Sequence, residues 1–334
     1  MLAGKLPNLD KLNFYSVSFE HCSVHNTALW SLQEFSHITS LWLRNVTLPS
    51  ASPFFQVVSS FPRLQHLQCR YLHWSKSRSL APLPQRHRMP LTTVTSLEYD
   101  LSCFEGIGPI LLGLLDQANL KTLLLEPEVS AAALAFAQDM LNIAGKRLEE
   151  AKIVFRVPKA DVGGSSPPFF LHPISFEANV NLQTLDLLYE NMSDIALLVR
   201  SVLLPPLETI SSKNLDSIHF YINNNSEWKT DAFLNAFDPG VCAQIDELLA
   251  EGHFPKLRDV SIGVRLHNPR LDDSQRLGLC TEICARFPKL NDKNIFTLRY
   301  NFDRFPSDAE KALKAKRLAN KQPHPTEQTE QTAA

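Results

Sequence analysis

An apolar-x-x-apolar-x-apolar pattern returns about ten times along this chain of 334 residues. Within a copy the apolar residues alternate as in a strand, for example Leu64/Leu67/Cys69. A phrase of the form apolar-Pro-x-Leu leads into several copies, and its proline ends the preceding segment. The copies open at Leu9, Ile38, Leu64, Val94, Leu120, Leu148, Leu182, Leu215, Leu257 and Leu290. Such a period is typical of a repeat protein, in which each unit buries its apolar residues against its neighbours.

Helical spacing fills several of the segments between these strands. One segment has Ser52 as its N-cap and Pro53 as its first helical residue, and another runs from Ser130 as N-cap to Gly145 as its stop. Two more begin near Ser193 and Leu277. Their apolar faces are Phe54/Val57/Val58/Phe61, Leu134/Ala137/Met140/Leu141/Ala144, Ile195/Leu198/Val199/Val202 and Leu277/Cys280/Cys284/Phe287. The chain is therefore expected to alternate strands and helices.

The repeat spacing and the alternation together predict an α/β fold. The copies are 26 residues apart at their closest (Ile38 to Leu64) and 42 at their widest (Leu215 to Leu257). This range predicts an irregular leucine-rich-repeat solenoid, a right-handed β-α superhelix with a concave parallel sheet and outer helices. A doubly wound α/β enzyme also alternates strands and helices, but its buried strands are near-continuous apolar runs. Polar residues interrupt these strands, which favours the solenoid.

Two regions are expected along the chain. Residues 1–303 form the solenoid of about ten units, and the last copy, Leu290/Lys293/Ile295, is degenerate because a lysine stands at its middle position. Residues 304–334 are predicted to be a short basic helix over 308–321, followed by a polar, disordered tail.

Composition sets the cellular context that we expect. The formal net charge is −2, so binding to a polyanion requires a local basic patch. No apolar run is long enough to span a bilayer, and the first residues lack the apolar core of a secretory signal. Six cysteines are scattered without the density of a disulfide framework. These features predict a cytoplasmic or nuclear protein with reduced thiols.

Motifs for catalysis or for cofactors are weak. Gly106-Ile107-Gly108 sits where a dinucleotide loop would lie, but Leu111 replaces the third glycine of that fingerprint. Cys280 and Cys284 share a helical face without a second ligand pair for zinc, which predicts two buried core cysteines. No nucleophile signature is present. We therefore expect no enzyme activity, no catalytic residue, no cofactor and no metal site.

The best candidate for a binding site is the concave face of the predicted sheet. There the residues on either side of the third apolar position point away from the core. In the first units these residues are aromatic and basic, the types enriched at binding hot spots. The next two units are acidic, which favours a polar protein segment over a uniformly anionic nucleic acid. The predicted site residues are Tyr15, Trp42, Arg44, Arg70, Glu98, Asp100 and Glu126, together with Tyr71, which lies next to Arg70.

Two alternatives remain open at this point. Trp42 and Tyr15 could simply cover the sheet as cross-strand neighbours. The chain could also be an RNA- or polyanion-binding repeat protein that uses the basic loop 75–90 and the C-terminal basic helix.

The Phe-Pro-Lys/Arg-Leu openings and the irregular repeat lengths resemble the leucine-rich-repeat portion of F-box-like proteins from mushroom-forming fungi. The resemblance covers about residues 1–303. It implies a solenoid that holds a substrate while an N-terminal F-box docks the adaptor of a ubiquitin ligase. The first repeat begins by Leu9, which leaves no room for an F-box in this chain. The expected function is therefore a non-catalytic protein-interaction module with an unknown protein ligand. Contact with the adaptor is expected only if an F-box lies upstream.

Overall fold

One sheet of ten parallel strands, paired in chain order, organises the described part of the protein. The computed structural model describes residue 6 and residues 8–19, 31–74, 91–100, 104–127, 130–156, 174–190, 203–224, 234–266 and 273–300. The strands are β1 (Lys11–Ser18), β2 (Ser40–Leu48), β3 (His66–Trp74), β4 (Ser96–Asp100), β5 (Thr122–Glu126), β6 (Glu150–Arg156), β7 (Thr184–Glu190), β8 (Ser217–Asn224), β9 (Asp259–Leu266) and β10 (Phe296–Tyr300). The predicted α/β class and the sequential parallel strands are confirmed.

Helices connect many of these strands and complete the core. They are α1 (Ala51–Ser59), α2 (Phe104–Leu115), α3 (Ala131–Ala144), α4 (Leu204–Glu208), α5 (Pro239–Ala250), α6 (Asp273–Cys284) and α7 (Pro288–Asp292). Short 3₁₀ turns cover Ser31–Glu34 and Gly145–Arg147. Alternate strand residues such as Leu41 and Leu43 pack in one continuous core with helix residues such as Phe54. The other strand positions point to the opposite side, which we call the open face.

The apolar-Pro-x-Leu phrase forms a tight turn at the entrance of a strand. The amide of Leu64 donates to the carbonyl of Phe61 at 3.1 Å, and that of Leu257 donates to Phe254 at 3.1 Å. Proline suits the second position of such a turn because its ring fixes the required φ. The turn is followed by a constant hydrogen-bond pattern. For example, the carbonyl of Thr39 accepts from two successive amides of the next repeat, those of Gln65 (2.8 Å) and His66 (2.9 Å). This repetition keeps the strands in one register.

The tenth strand departs from the predicted register. Phe296 pairs with Val260 and Leu298 with Ile262, whereas the sequence pattern had placed Lys293 and Ile295 in those positions. The cause lies in the last copy of the phrase, where Pro288 starts helix α7 instead of a turn. Proline is favoured at the first position of a helix as well. The prediction for this copy was therefore wrong by three residues.

Some predicted helix details also change. The helix after β2 begins at Ala51 with Ser50 as its N-cap, two residues before the predicted start. The cap at Ser130 and the stop at Gly145 are confirmed, since the Ser130 hydroxyl accepts from the Ala133 amide and Gly145 has φ 51°.

On α6 the prediction of buried core cysteines was wrong. Among the side chains of α6 that the structure describes, Leu279 and Ile283 are buried, whereas Cys280 and Cys284 are partly exposed. The predicted helix over 195–202, the loop 75–90 and the region 304–334 lie outside the described residues.

Candidate functional site

The open face brings most of the predicted site residues into two rows. Strand pairing aligns Trp42 with Gln68 and Gln68 with Glu98, and it aligns Tyr15 with Arg44 and Arg44 with Arg70. In the acidic units Asp100 pairs with Glu126. The strand register therefore places these candidate residues in line on neighbouring strands. Their role in binding stays a prediction.

A backbone feature that the sequence pattern did not reveal builds the N-terminal end of this face. Ser16, Asn45 and Tyr71 occupy equivalent places on β1, β2 and β3, and all three have left-handed φ values of 53–55°. Pairing resumes one residue later, with Val17 opposite Val46. The exposure pattern shows the consequence: on each strand two successive side chains leave the core before burial alternates again. We call these three residues the bulge row.

Aromatic and cationic side chains next to the bulge row share one surface. Tyr15, Trp42 and Tyr71 are 63%, 37% and 38% exposed. The Lys11 ammonium lies 3.1 Å from the centre of the Trp42 ring, and the Arg44 guanidinium carbon lies 5.9 Å from the centre of the Tyr15 ring. Both distances are within the range of cation–π attraction. We call Lys11, Tyr15, Trp42, Arg44 and Tyr71 the N-terminal patch.

Left-handed backbone at a non-glycine residue is costly, and strain of this kind clusters at functional sites. Asparagine tolerates it better than other side chains. The Asn45 amide also donates to the Ser16 hydroxyl at 3.0 Å.

We expect Asn45→Val to lose about 1–2 kcal/mol of unfolding free energy, because a β-branched side chain clashes at positive φ. Asn45→Gly should change stability little, since glycine adopts this backbone freely. Urea denaturation of both variants measures the difference. Thr47→Val, two residues along the same strand, is the matched control and should be tolerated. Equal stability of the Val and Gly variants at position 45 would show that the bulge carries no strain.

The acidic residues of the predicted site are not a free surface, because two arginines form ion pairs with them. Arg70 pairs with Glu98 and, at 3.0 Å, with Glu126. Arg156, at the end of β6, pairs with Glu126, with Asp100 at 3.3 Å and with Glu190 at 3.5 Å. Asp100 and Glu126 are buried. We call Arg70, Glu98, Asp100, Glu126, Arg156 and Glu190 the ion-pair network.

Burial affects the pKa of two members of this network, Glu126 and Arg156. It raises the pKa of Glu126, and the positive charges of Arg156 and Arg70 offset only part of that effect. Burial would lower the pKa of Arg156, but Glu126 and Asp100 outweigh it and raise the pKa. Arg156 therefore stays charged, and a buried charge of this kind is tolerated only while its partners remain in place.

Arg156 also connects the network to the N-terminal patch. Its Nη2 donates to the Tyr71 hydroxyl at 3.2 Å, and its guanidinium carbon lies 5.4 Å from the centre of the Tyr71 ring. The two residues are 85 positions apart in the chain. The orientation of an exposed aromatic residue on β3 thus depends on a side chain three strands away.

A second polar cluster lies further along the open face. His219 Nδ1 donates to Asp186 Oδ1 at 2.7 Å, and His219 Nε2 faces Asp259 Oδ2 at 3.5 Å. Burial would lower the pKa of His219, but the hydrogen bonds and charges of the two aspartates outweigh it and raise the pKa to about 9. The neighbouring Ser261 is buried, and its hydroxyl has no hydrogen-bond partner among the residues that the structure describes.

A raised histidine pKa makes stability depend on pH in a definite direction. The folded pKa of about 9 exceeds the unfolded value of 6.5. The contribution of His219 to the free energy of unfolding is therefore complete below the unfolded pKa, and it is lost as pH rises through the folded pKa. We expect wild-type protein to lose on the order of 3 kcal/mol relative to His219→Gln across this window. Denaturation of both proteins along a pH series measures the difference. A constant difference would show that Asp186 and Asp259 do not hold the imidazolium.

The accessible part of the open face lies near its N-terminal end. Toward β6 and β7 its residues Val154 and Leu188 are buried. Of the predicted site residues, Tyr15, Trp42, Arg44 and Tyr71 meet solvent, whereas Arg70, Glu98, Asp100 and Glu126 belong to the ion-pair network. Sequence reasoning missed Lys11 and Arg156.

Comparisons with known proteins assign no family. No protein-family model matches the chain, and no curated protein matches it. Among the residues that the structure describes, no group of three or more histidine, cysteine or acidic side chains is placed to hold a metal ion. Within the same ranges, every helix is too short or too polar to cross a membrane.

Proposed function

We propose that the chain is an irregular leucine-rich-repeat solenoid, with the open face as its concave surface, and that it acts as a non-catalytic protein-interaction module. The constant register and the recurring turn before the strands support this repeat architecture. One observation carries the functional part of the proposal: three exposed aromatic side chains stand beside two cations on adjacent strands. Tyrosine, tryptophan and arginine are the residues most enriched at protein–protein hot spots.

The polar groups of the open face argue against hydrolysis at that surface. Asp186, His219 and Ser261 lie side by side on β7, β8 and β9, and they are the residue types of a hydrolase triad. However, both ring nitrogens of His219 face carboxylates. Its raised pKa keeps the imidazole protonated at neutral pH, so it is not available to accept a proton from Ser261.

The described thiols are also poor nucleophiles. Burial raises the pKa of each of them, which leaves the thiol protonated and weakly reactive at neutral pH. These residues are Cys69, Cys242, Cys280 and Cys284. Their chemistry supports a binding role over covalent catalysis.

The narrower form of the proposal is that this module recognises substrates for an F-box-type ubiquitin ligase. The resemblance in the repeat openings and the availability of the N-terminal patch support it. Contact with the ligase adaptor would require an F-box outside this chain.

Cross-linking followed by mass spectrometry identifies the partner, and binding is then measured with the purified partner. Trp42→Ala and Arg44→Ala should each weaken binding by roughly 1 to 3 kcal/mol, or about 5- to 150-fold in Kd, as hot-spot truncations do. Both side chains are exposed, so the melting temperature should stay close to that of the wild type. Lys146→Ala and Lys213→Ala, two exposed lysines on other repeats, are the matched controls. Equal binding by all four variants would contradict a site on this patch. A partner that proves to be RNA would favour the polyanion alternative.

A further inference from the structure

Charge is distributed unevenly over the open face. The strands β1, β2 and β3 contain no aspartate or glutamate. Within the described residues, no ion pair joins Lys11 or Arg44 to a carboxylate, and each cation lies against an aromatic ring. Arg70 on β3 and Arg156 on β6 are instead paired with carboxylates in the ion-pair network. Among the residues that the structure describes, no carboxylate therefore neutralises the positive charge of the N-terminal patch.

The aromatic rings restrict the kind of ligand that this positive charge can bind. Tyr15, Trp42 and Tyr71 offer apolar surface between and beside the two cations. A cation that rests on a ring keeps its outer side for an anion, and the ring adds contact area at little cost in side-chain entropy. An occupant with both carboxylates and apolar side chains satisfies the two kinds of group together.

The geometry indicates the spacing of those carboxylates. Lys11 pairs with Ser40, and Tyr15 with Arg44, so the two cations are anchored four residues apart along the strand direction. Four residues of strand span about 13 Å. Because the Lys11 side chain lies over the Trp42 ring, the distance between the Lys11 and Arg44 charges is shorter than this. Two carboxylates that lie two to four residues apart on an extended segment match this range.

The border of the patch favours a short protein segment over a nucleic acid. Beyond Tyr71 the ion-pair network sets four carboxylates against two guanidinium groups. A phosphate backbone that continued along the face would meet this excess of negative charge, which opposes binding. A short acidic segment ends before it.

Building on the proposed function, we propose that the N-terminal patch recognises an extended acidic protein segment, in which two carboxylate side chains engage Lys11 and Arg44 and an apolar side chain between them lies on Trp42. Carboxylates, rather than the phosphates of a nucleic acid, are the anionic groups of the occupant. The Lys11 and Arg44 charges select the segment, and the three rings supply the contact area.

Selection from a random peptide library tests this without knowledge of the natural partner. Immobilised wild-type protein should enrich peptides in aspartate and glutamate by about threefold or more over the input at low salt, and high salt should abolish the enrichment. Lys11→Glu/Arg44→Glu should lose the acidic preference and favour basic peptides. Lys146→Glu/Lys213→Glu, which reverses the same charge elsewhere on the surface, should select like the wild type. The melting temperature of each variant verifies its fold.

Three results would overturn the proposal. The first is a wild-type selection without acidic enrichment, and the second is an unchanged preference in Lys11→Glu/Arg44→Glu. The third is displacement of the selected peptides by oligouridylate at lower concentration than by free acidic peptide. These results are distinguishable from failure of the interaction role. If Trp42→Ala still weakens capture of the natural partner, the patch remains the binding site and only the acidic chemistry is wrong.

Discussion

Leu185→Asp is expected to remove most of the stability of the folded chain. Leu185 is fully buried on β7, between Ala151 of β6 and Ile218 of β8 in the strand register. Loss of a buried leucine costs about 2–5 kcal/mol, and an unpaired carboxylate in its place adds several more. Domains of ordinary stability have only about 5–15 kcal/mol in total. The variant should therefore be largely unfolded near 37 °C. Thermal denaturation followed by circular dichroism measures this.

Gln183→Asp provides the matched control, because it introduces the same charge two residues earlier at an exposed position. It should melt within a few degrees of the wild type, since surface substitutions seldom exceed about 0.5 kcal/mol. Hydrogen exchange adds a spatial test. In Leu185→Asp the amides of β6 and β8 should lose protection together with those of β7, because each repeat is stabilised by its neighbours. A melting temperature close to that of the wild type would contradict the burial of this row.

The order and register of nine strands could be predicted from the sequence because the signal is local and repeated. The spacing of three and two residues between apolar positions sets which side chains face the core, and a one-residue slip would expose all of them. Leu67, Leu97 and Leu123 accordingly align across β3, β4 and β5. Each repeat supplies the same information independently, so that a weak match in one is corrected by its neighbours.

The tenth strand could not be predicted because its determinant is a tertiary contact. The buried Asp246 of α5 accepts hydrogen bonds from the amides of Lys289 and Leu290, both at 2.9 Å. This caps the first turn of α7, whose proline fits a helix start as well as a turn. The contacting residues are separated by 43 and 44 positions in the chain, and their contact decides whether the proline starts a helix or a turn. A pattern of neighbouring residues in the sequence therefore cannot distinguish the helix from the turn.

In the candidate site, too, some features follow from the local sequence pattern and others depend on tertiary contacts. The exposed positions of Tyr15, Trp42 and Arg44 follow from strand alternation and could be predicted from it. The strand positions of the acidic residues follow from the same alternation, but their ion pairs could not be predicted, because Arg156 reaches them from outside the positions that flank the core residues. The bulge row was also missed. Left-handed backbone at serine, asparagine and tyrosine leaves a weaker sequence signal than glycine would.

Arg156→Met is expected to be the second most damaging change. The long apolar side chain of methionine preserves much of the volume, but it leaves Asp100, Glu126 and Glu190 without their shared cation. Removal of one partner from a buried ion pair costs about 3–5 kcal/mol, because the remaining charge is left uncompensated. Arg156→Lys should recover only part of this, since a single ammonium lacks the fork of donors that a guanidinium presents. Arg258→Met is the control, because Arg258 is largely exposed and pairs with an exposed Asp216.

Acid should rescue Arg156→Met, and the sign of the effect identifies its cause. Burial already raises the pKa of Glu126, and loss of the Arg156 charge raises it further. A carboxyl whose folded pKa lies above its unfolded value binds its proton more tightly in the folded state, so stability increases as pH falls toward that pKa. The deficit of Arg156→Met relative to wild type should therefore shrink as the pH falls from neutral through the raised folded pKa of Glu126. Glu126→Gln should restore part of the lost stability at neutral pH when combined with Arg156→Met, because the double variant removes a charge that has lost its partner. A deficit that neither acid nor Glu126→Gln reduces would place the role of Arg156 in packing against Tyr71 and not in the neutralisation of the acidic strands.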